Sequence, residues 1–260
     1  MRMRAAGTAV IGALALSVLA VPAAQAADGS RGDTKISGVV VNGGKPVVVS
    51  ATGTKTITVS FTVTDDSGVK WAQGILYHGS DMDHADSAAL ANTGDKRSVC
   101  TEVNATTSTC KATYTLTAGA NLINSVAGGW KVWAIAQGND TDYVKKENAK
   151  TFQAQRLSKL TVNASPEPVK KGATLTVTGA LTRANWDAGK YSGYSAQSVK
   201  LQFRKKGSTS YTTLKTVRSD SRGNLKTTVK ASADGYYRYS FAGTSTTPAV
   251  SAGGDFVDVK

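Results

Sequence analysis

Apolar and polar residues alternate along almost the whole chain after its first 26 positions. In KTITVSFTVT (55–64), Ile57, Val59, Phe61 and Val63 fall on one side and Thr56, Thr58, Ser60 and Thr62 on the other. That period of two is what a half-buried strand requires. The turn residues DDSG (65–68) follow, and VKWAQGILYH (69–78) resumes an extended pattern with Trp71 and Ile75 on one face. Further strands are predicted over 36–41, 46–50, 98–103, 109–116, 130–137 and about 149–154. Only HADSAALA (84–91) and ANLINSVA (120–127) carry the pattern of short helices.

The rest of the chain repeats the theme more cleanly, with strands predicted over 159–164, 173–182, 198–205, 210–218, 224–231, 235–242 and 254–259. Val199, Leu201 and Phe203 point inward against Lys200, Gln202 and Arg204 outward; Leu225, Thr227, Val229 and Ala231 oppose Lys226, Thr228 and Lys230. Short strands separated by Gly, Ser, Asp and Pro turns point to an antiparallel β-sandwich of immunoglobulin-like type. The GYYRYSFAGT strand and the closing SAGGDFVDV strand resemble those of immunoglobulin-like domains in secreted and surface proteins of actinomycetes, over roughly 157–260. FTVTDDSGVKWAQGILYHG is more loosely similar to a bacterial immunoglobulin-type module. This resemblance implies a fold and an extracellular address, and no activity comes with it.

The N-terminus adds a leader. Arg2 and Arg4, the apolar run Ala5–Val21, Pro22 and the small residues around Ala24-Gln25-Ala26 have the order of a cleavable secretory signal peptide. The apolar run is shorter than the roughly 20 residues a membrane-spanning helix needs. The expected organisation is therefore a signal peptide (1–26) and two tandem antiparallel immunoglobulin-like sandwiches, 27–156 and 157–260, joined by AQRLS (154–158). Charge separates the two domains. Residues 27–156 hold 13 Lys and Arg against 12 Asp and Glu, a net +1, whereas residues 157–260 hold 16 against 6, a net +10.

Cys100 and Cys110 are the chain's only cysteines, and in an exported protein such a close pair reads as a disulfide. Their parity is awkward: Cys110 shares a face with Ala112, Tyr114 and Leu116, but Cys100 shares one with Ser98 and Glu102. A bulge or an inter-strand twist would reconcile them.

Candidate chemistry is sparse. YHGSDMDHAD (77–86) holds both histidines and three aspartates. An EF-hand fails, because Ala85 and Asp86 stand where Asp or Asn and Gly are wanted and Asn92 replaces the final Glu. A looser calcium site of Asp81, Asp83 and Asp86, helped by Asp65 or Asp66, competes with a solvated polar loop. His78 and His84 lack the i,i+4 spacing of a helical zinc pair. No G-x-S-x-G or H-E-x-x-H motif occurs, and no further histidine is present to act as a base. A non-catalytic protein without an obligatory cofactor is the expectation.

The segment RANWDAGKYSGYSAQS (183–198) is longer than an ordinary hairpin loop. Trp186, Tyr191 and Tyr194 would stack on a sugar or peptide if exposed, or cap the domain's own core if folded back. Lys200, Arg204 and Lys226, with their basic neighbours, would form a positive face suited to an anionic polymer of the cell envelope, or else serve only to keep sheet edges from aggregating. Sequence-specific nucleic-acid binding is not expected, since no recognised motif is present and Phe203 and Tyr211 are wanted in the core. The expected function is a secreted protein that binds envelope polymer or carbohydrate. The alternatives are an adaptor for another secreted protein and a calcium-dependent domain.

Overall fold

A computed structural model describes residues 28–260, so the signal-peptide expectation lies outside the described residues. The first domain is built from β1 (Gly29–Arg31), β2 (Lys35–Val41), β3 (Val47–Val49), β4 (Thr54–Thr64), β5 (Val69–Gly79), β6 (Ala85–Leu90), β7 (Val99–Asn104), β8 (Thr107–Thr117), β9 (Gly128–Gly138) and β10 (Tyr143–Arg156). One sheet runs β2-β4-β8-β7; the facing sheet runs β1-β10-β9-β5-β6, with β3 added parallel to the end of β10. A four-stranded sheet facing one centred on β10-β9-β5 is the strand order of an immunoglobulin-like sandwich. The alternation read from the sequence fills the space between the sheets. Val59, Phe61, Val63, Tyr114 and Leu116 meet Ala72, Leu76, Trp130, Val132 and Ala134 in one apolar cluster.

The second domain contains β11 (Ser158–Leu160), β12 (Asn163–Ser165), β13 (Thr174–Asn185), β14 (Lys190–Gly193), β15 (Ser198–Lys205), β16 (Thr212–Arg218), β17 (Asn224–Lys230), β18 (Gly235–Phe241), β19 (Val250–Ser251) and β20 (Asp255–Val257). β13 pairs with β11, β12, β14 and β17, and faces a sheet of β16, β15 and β18 edged by β19 and β20. Leu175, Val177, Leu181, Val199, Leu201, Tyr237 and Tyr239 form its core. A buried tyrosine is pinned in each domain: the Tyr114 hydroxyl donates to the Gly74 carbonyl and that of Tyr239 to the Val177 carbonyl, both at 2.9 Å. Burial pushes both phenols up to about 12.

Two local expectations are corrected. Residues 84–91 are not helical: β6 pairs antiparallel with β5, Leu90 opposite Ile75 and Ser87 opposite His78. An open sheet edge next to β5 outweighs the helix preference of an alanine-rich segment, because propensity is a weak term beside a strand's hydrogen bonds. Residues 120–127 form a turn and a single 3-10 turn at Asn124–Val126. The Asn121 side chain ties it down, accepting from the Thr117 N–H at 2.7 Å and donating to the Thr115 carbonyl at 3.0 Å. β10 is also longer than the predicted 149–154, because the polar run around Lys146–Lys150 contains a register irregularity that breaks the alternation.

Cys100 and Cys110 are joined, and the parity problem disappears without a bulge at the pair. They stand directly opposite each other in the β7–β8 ladder. Ser98 is itself buried, so its polarity was a misleading marker of the outer face. The irregularity in this hairpin falls beyond the bridge, between Glu102 and Asn104.

Candidate functional site

Residues that read as one binding surface in the sequence are distributed over three places. β13 runs beyond its own sheet to Asn185, turns at 186–189 and returns as β14, each residue of Thr182–Asn185 paired with one of Lys190–Gly193. Gly193 permits this return: a Cβ there would sit 1.9 Å from the Arg222 carbonyl oxygen. The hairpin reaches into the first domain. Trp186 is 1% exposed and belongs to the first domain's apolar cluster, with Val49, Leu122 and Val126. Its indole N–H donates to the Val49 carbonyl at 3.3 Å and its backbone N–H to Asn124 Oδ1 at 3.0 Å. Asn124 in turn donates from its backbone N–H and its Nδ2 to the Asp187 carboxylate, at 2.8 and 2.6 Å.

Of Trp186, Tyr191 and Tyr194, Trp186 is too buried to stack on a ligand, and the other two are half-buried, so the fold-back alternative is the one this geometry follows. Tyr191 packs against the first domain's cluster, with Lys159 Nζ 3.8 Å from its ring centroid. Tyr194 is flanked by Phe241, with centroids 5.7 Å apart, and by the Arg183 guanidinium at 3.8 Å. Large aromatic faces next to an open apolar core are better buried there than left in water. The loop clamps the two domains together. Further backbone bonds cross the joint, from the Arg156 N–H to the Thr246 carbonyl and from the Leu157 N–H to the Val49 carbonyl, both at 2.9 Å.

Lys226 is also separated from its predicted companions. It projects from β17 beside Thr178 of β13, on the opposite side of the sandwich from Lys200 and Arg204.

Around Lys200 and Arg204 the structure assembles a continuous surface. Lys200, Gln202 and Arg204 of β15 lie in register beside Ser240, Arg238 and Tyr236 of β18, all on the outer face. Phe256 of β20 stands next to Tyr236, with ring centroids 5.2 Å apart. Tyr211, which the sequence placed in the core, lies outside it between two guanidinium groups, Arg238 at 3.7 Å and Arg204 at 5.3 Å from its centroid. Arg204 also covers Tyr236 at 4.1 Å, and Lys206 lies 5.6 Å from Phe256. The result is a half-exposed row, Arg238–Tyr211–Arg204–Tyr236–Phe256–Lys206.

Hydrogen bonds fix the guanidinium planes of this row. Arg238 Nε donates to Gln202 Oε1 at 2.9 Å, and Arg204 Nη1 donates to the Ser208 carbonyl at 2.6 Å. The ion pairs of this domain involve Lys206 with Asp234 and Lys260 with Asp258. Arg204 and Arg238 have no carboxylate within 4.0 Å among the described residues. The sequence pattern puts Lys200, Arg204 and Arg238 on one basic face, but only the pairing of β15 with β18 and β20 shows that Tyr236 and Phe256 join them.

The aspartates of YHGSDMDHAD do not converge. Asp81 accepts from the His84 backbone N–H at 2.9 Å and contacts His84 Nδ1 at 2.7 Å, while Asp86 contacts His78 Nδ1 at 2.9 Å. The hydrogen bond to His84 holds the Asp81 carboxyl below its usual range and raises His84 correspondingly. The carboxylates that do approach one another belong to Asp33, Asp65 and Asp66, whose oxygens lie within 4.8 Å. Asp65 is 2% exposed and is held by the hydroxyls of Thr34 and Ser67. Gly138 leaves the space its carboxylate occupies, since a Cβ there would be 2.1 Å from Asp65 Oδ2. Repulsion from Asp33 raises Asp66.

No known family model matches the chain, and no curated protein matches it. Solved structures to which the chain shows similarity include the titin domains z1z2 in complex with telethonin, at 9% identity, covering 87% of this chain and 96% of that one, with a TM-score of 0.24. Dpr2 Ig1-Ig2, in complex with DIP-Theta Ig1-Ig3, matches at 14% identity, 85% and 98% coverage and a TM-score of 0.25. The D00-D0 domain of intimin matches at 13% identity, 86% and 99% coverage and a TM-score of 0.27. At these scores the immunoglobulin-like assignment rests on the strand order and registers described above. Among the described residues no helix is long and apolar enough to cross a membrane.

Proposed function

We propose that the chain is an exported, non-catalytic binding protein whose second domain holds an anionic envelope polymer or carbohydrate against the outer face of β15, β18 and β20. The observation that carries this reading is the row of Arg238, Tyr211, Arg204, Tyr236 and Phe256, in which aromatic rings alternate with guanidinium groups lacking a carboxylate partner. Flat apolar rings offer contact area to sugar rings at little cost in side-chain entropy, and arginine pairs with carboxylate or phosphate in a planar fork. The disulfide supports an oxidising compartment outside the cell. The fixed joint favours a second reading, a rigid adaptor holding another secreted protein, which predicts a stable protein partner on pull-down from culture supernatant.

The test is binding of the protein to immobilised polygalacturonate and poly(glycerol phosphate), with neutral dextran as control, across a salt series. The logarithm of the affinity for the anionic polymers should fall linearly with log salt. Replacing both Arg204 and Arg238 with Gln should weaken it at least tenfold, while Lys226→Gln changes it less than twofold. Equal, salt-insensitive binding to dextran, or equal losses in the two variants, would sink the proposal.

A further inference from the structure

Arg156 is the basic side chain that the fold buries, 7% exposed, at the end of β10 where the chain crosses between domains. Its Nε donates to the Ala184 carbonyl at 2.6 Å. Among the described residues its two terminal nitrogens have no protein partner, and no carboxylate lies within 4.0 Å of them. They are not sealed in, because Ser98 Oγ is the fully enclosed side-chain polar atom left without a partner. The guanidinium tip is therefore not completely cut off from solvent.

A buried cation without a counter-charge is strongly unfavourable, and here a second cation adds to the cost. Arg183 precedes Ala184 on β13 and lies across from Ser158, two residues after Arg156. Burial, reinforced by the Arg183 charge, brings Arg156 down to about 10, so it is still protonated at neutral pH. Arg183 rests on the Tyr194 ring at 3.8 Å and donates weakly, at 3.4 Å, to Oγ1 of the fully buried Thr247. Asp187 attracts Arg156 from a distance, but both of its oxygens accept from Asn124.

We propose that Arg156 and Arg183 form a binding site for a tetrahedral oxyanion, a phosphate or phosphodiester group, at the joint between the domains. Arg156, with both terminal nitrogens unpartnered, and Arg183, held by one weak hydrogen bond, carry the charge and the forked donors that suit such a group. The anion would supply the counter-charge that the protein lacks there. This site is separate from the aromatic row of β15, β18 and β20, so either can fail without the other.

The experiment is thermal unfolding of the protein at pH 7 in sodium phosphate against sodium chloride at matched ionic strength. At ten times the dissociation constant the midpoint should rise by about 3 °C and then saturate. Phosphate also stabilises proteins generally by exclusion from their surface, but that effect is unsaturable and common to all variants. Arg183→Gln should abolish the saturable rise and Arg156→Lys should weaken the apparent affinity at least fivefold, whereas Arg238→Gln should retain it. A parallel titration with poly(glycerol phosphate) separates the sources. A saturable shift with the polymer alone assigns a phosphodiester, and one with inorganic phosphate alone assigns the free ion. Identical midpoints in phosphate and chloride, with no shift from the polymer, would overturn the proposal, as would an undiminished response in both joint variants.

Discussion

The indole nitrogen of Trp186 donates to the carbonyl oxygen of Val49, 137 residues earlier and in the other domain. Trp186 enters the chain as part of the second domain and is buried as part of the first. The two domains accordingly share one structural element, and the first does not finish its packing alone.

Replacing Trp186 with alanine should therefore destabilise the first domain although the mutation lies outside it. Truncating a buried tryptophan costs about 3–5 kcal/mol. Urea unfolding followed by tryptophan fluorescence, which in the variant comes from Trp71, Trp130 and Trp133 of the first domain, should show the loss. A change under 1 kcal/mol would mean that the clamp contributes little.

The Cys100–Cys110 bridge closes a short loop at the edge of a sheet. Changing both cysteines to alanine should cost about 2–3 kcal/mol, chiefly by freeing the unfolded chain. Calorimetry of the double variant against the oxidised protein measures this, and an unchanged midpoint would contradict it.

His84 and Asp81 give a pH signature. The folded state raises His84 and lowers Asp81 through their shared hydrogen bond. A raised base contributes stability that is fully present below its unfolded value of 6.5 and is lost as pH rises through the folded value. His84→Gln should lower the melting temperature at pH 6 and leave it unchanged at pH 8.5. The same deficit at both values would show that the histidine charge is irrelevant.

Asp66 works in the opposite sense. Repulsion from Asp33 raises its carboxyl, so the charged form is penalised above that value and the penalty vanishes on acidification. In EDTA at pH 7, Asp66→Asn should raise the melting temperature, and at pH 3 the gain should disappear. A fall at pH 7 would instead mark the charge as stabilising.

Much of the fold was legible because a sandwich writes itself into each strand: Ile57, Val59, Phe61 and Val63 on one parity and threonines on the other needed no long-range information. Residues 84–91 were misread because a short alanine-rich edge strand owes its state to β5 rather than to its own preference. The candidate site was harder for the same reason. Lys200, Arg204 and Arg238 follow from the run of basic strand positions, but Tyr236 and Phe256 join them only through cross-strand registers. Trp186 showed the limit most clearly, since the sequence allowed either an exposed loop or a cap on the domain's own core, and nothing local to it encodes a neighbouring domain with a gap to fill.

The clamp around Trp186 also fixes how the molecule would meet a charged surface. With a net +10 in one domain and +1 in the other, the protein is a lopsided electric dipole, and a polyanionic layer exerts a torque that turns the basic domain toward it. A flexible tether would let the first domain swing freely after contact, but the clamped joint passes that orientation along the chain. The Asp33, Asp65 and Asp66 end, at the opposite end of β4 from the joint, is then held out into the medium as a fixed, negatively charged outpost.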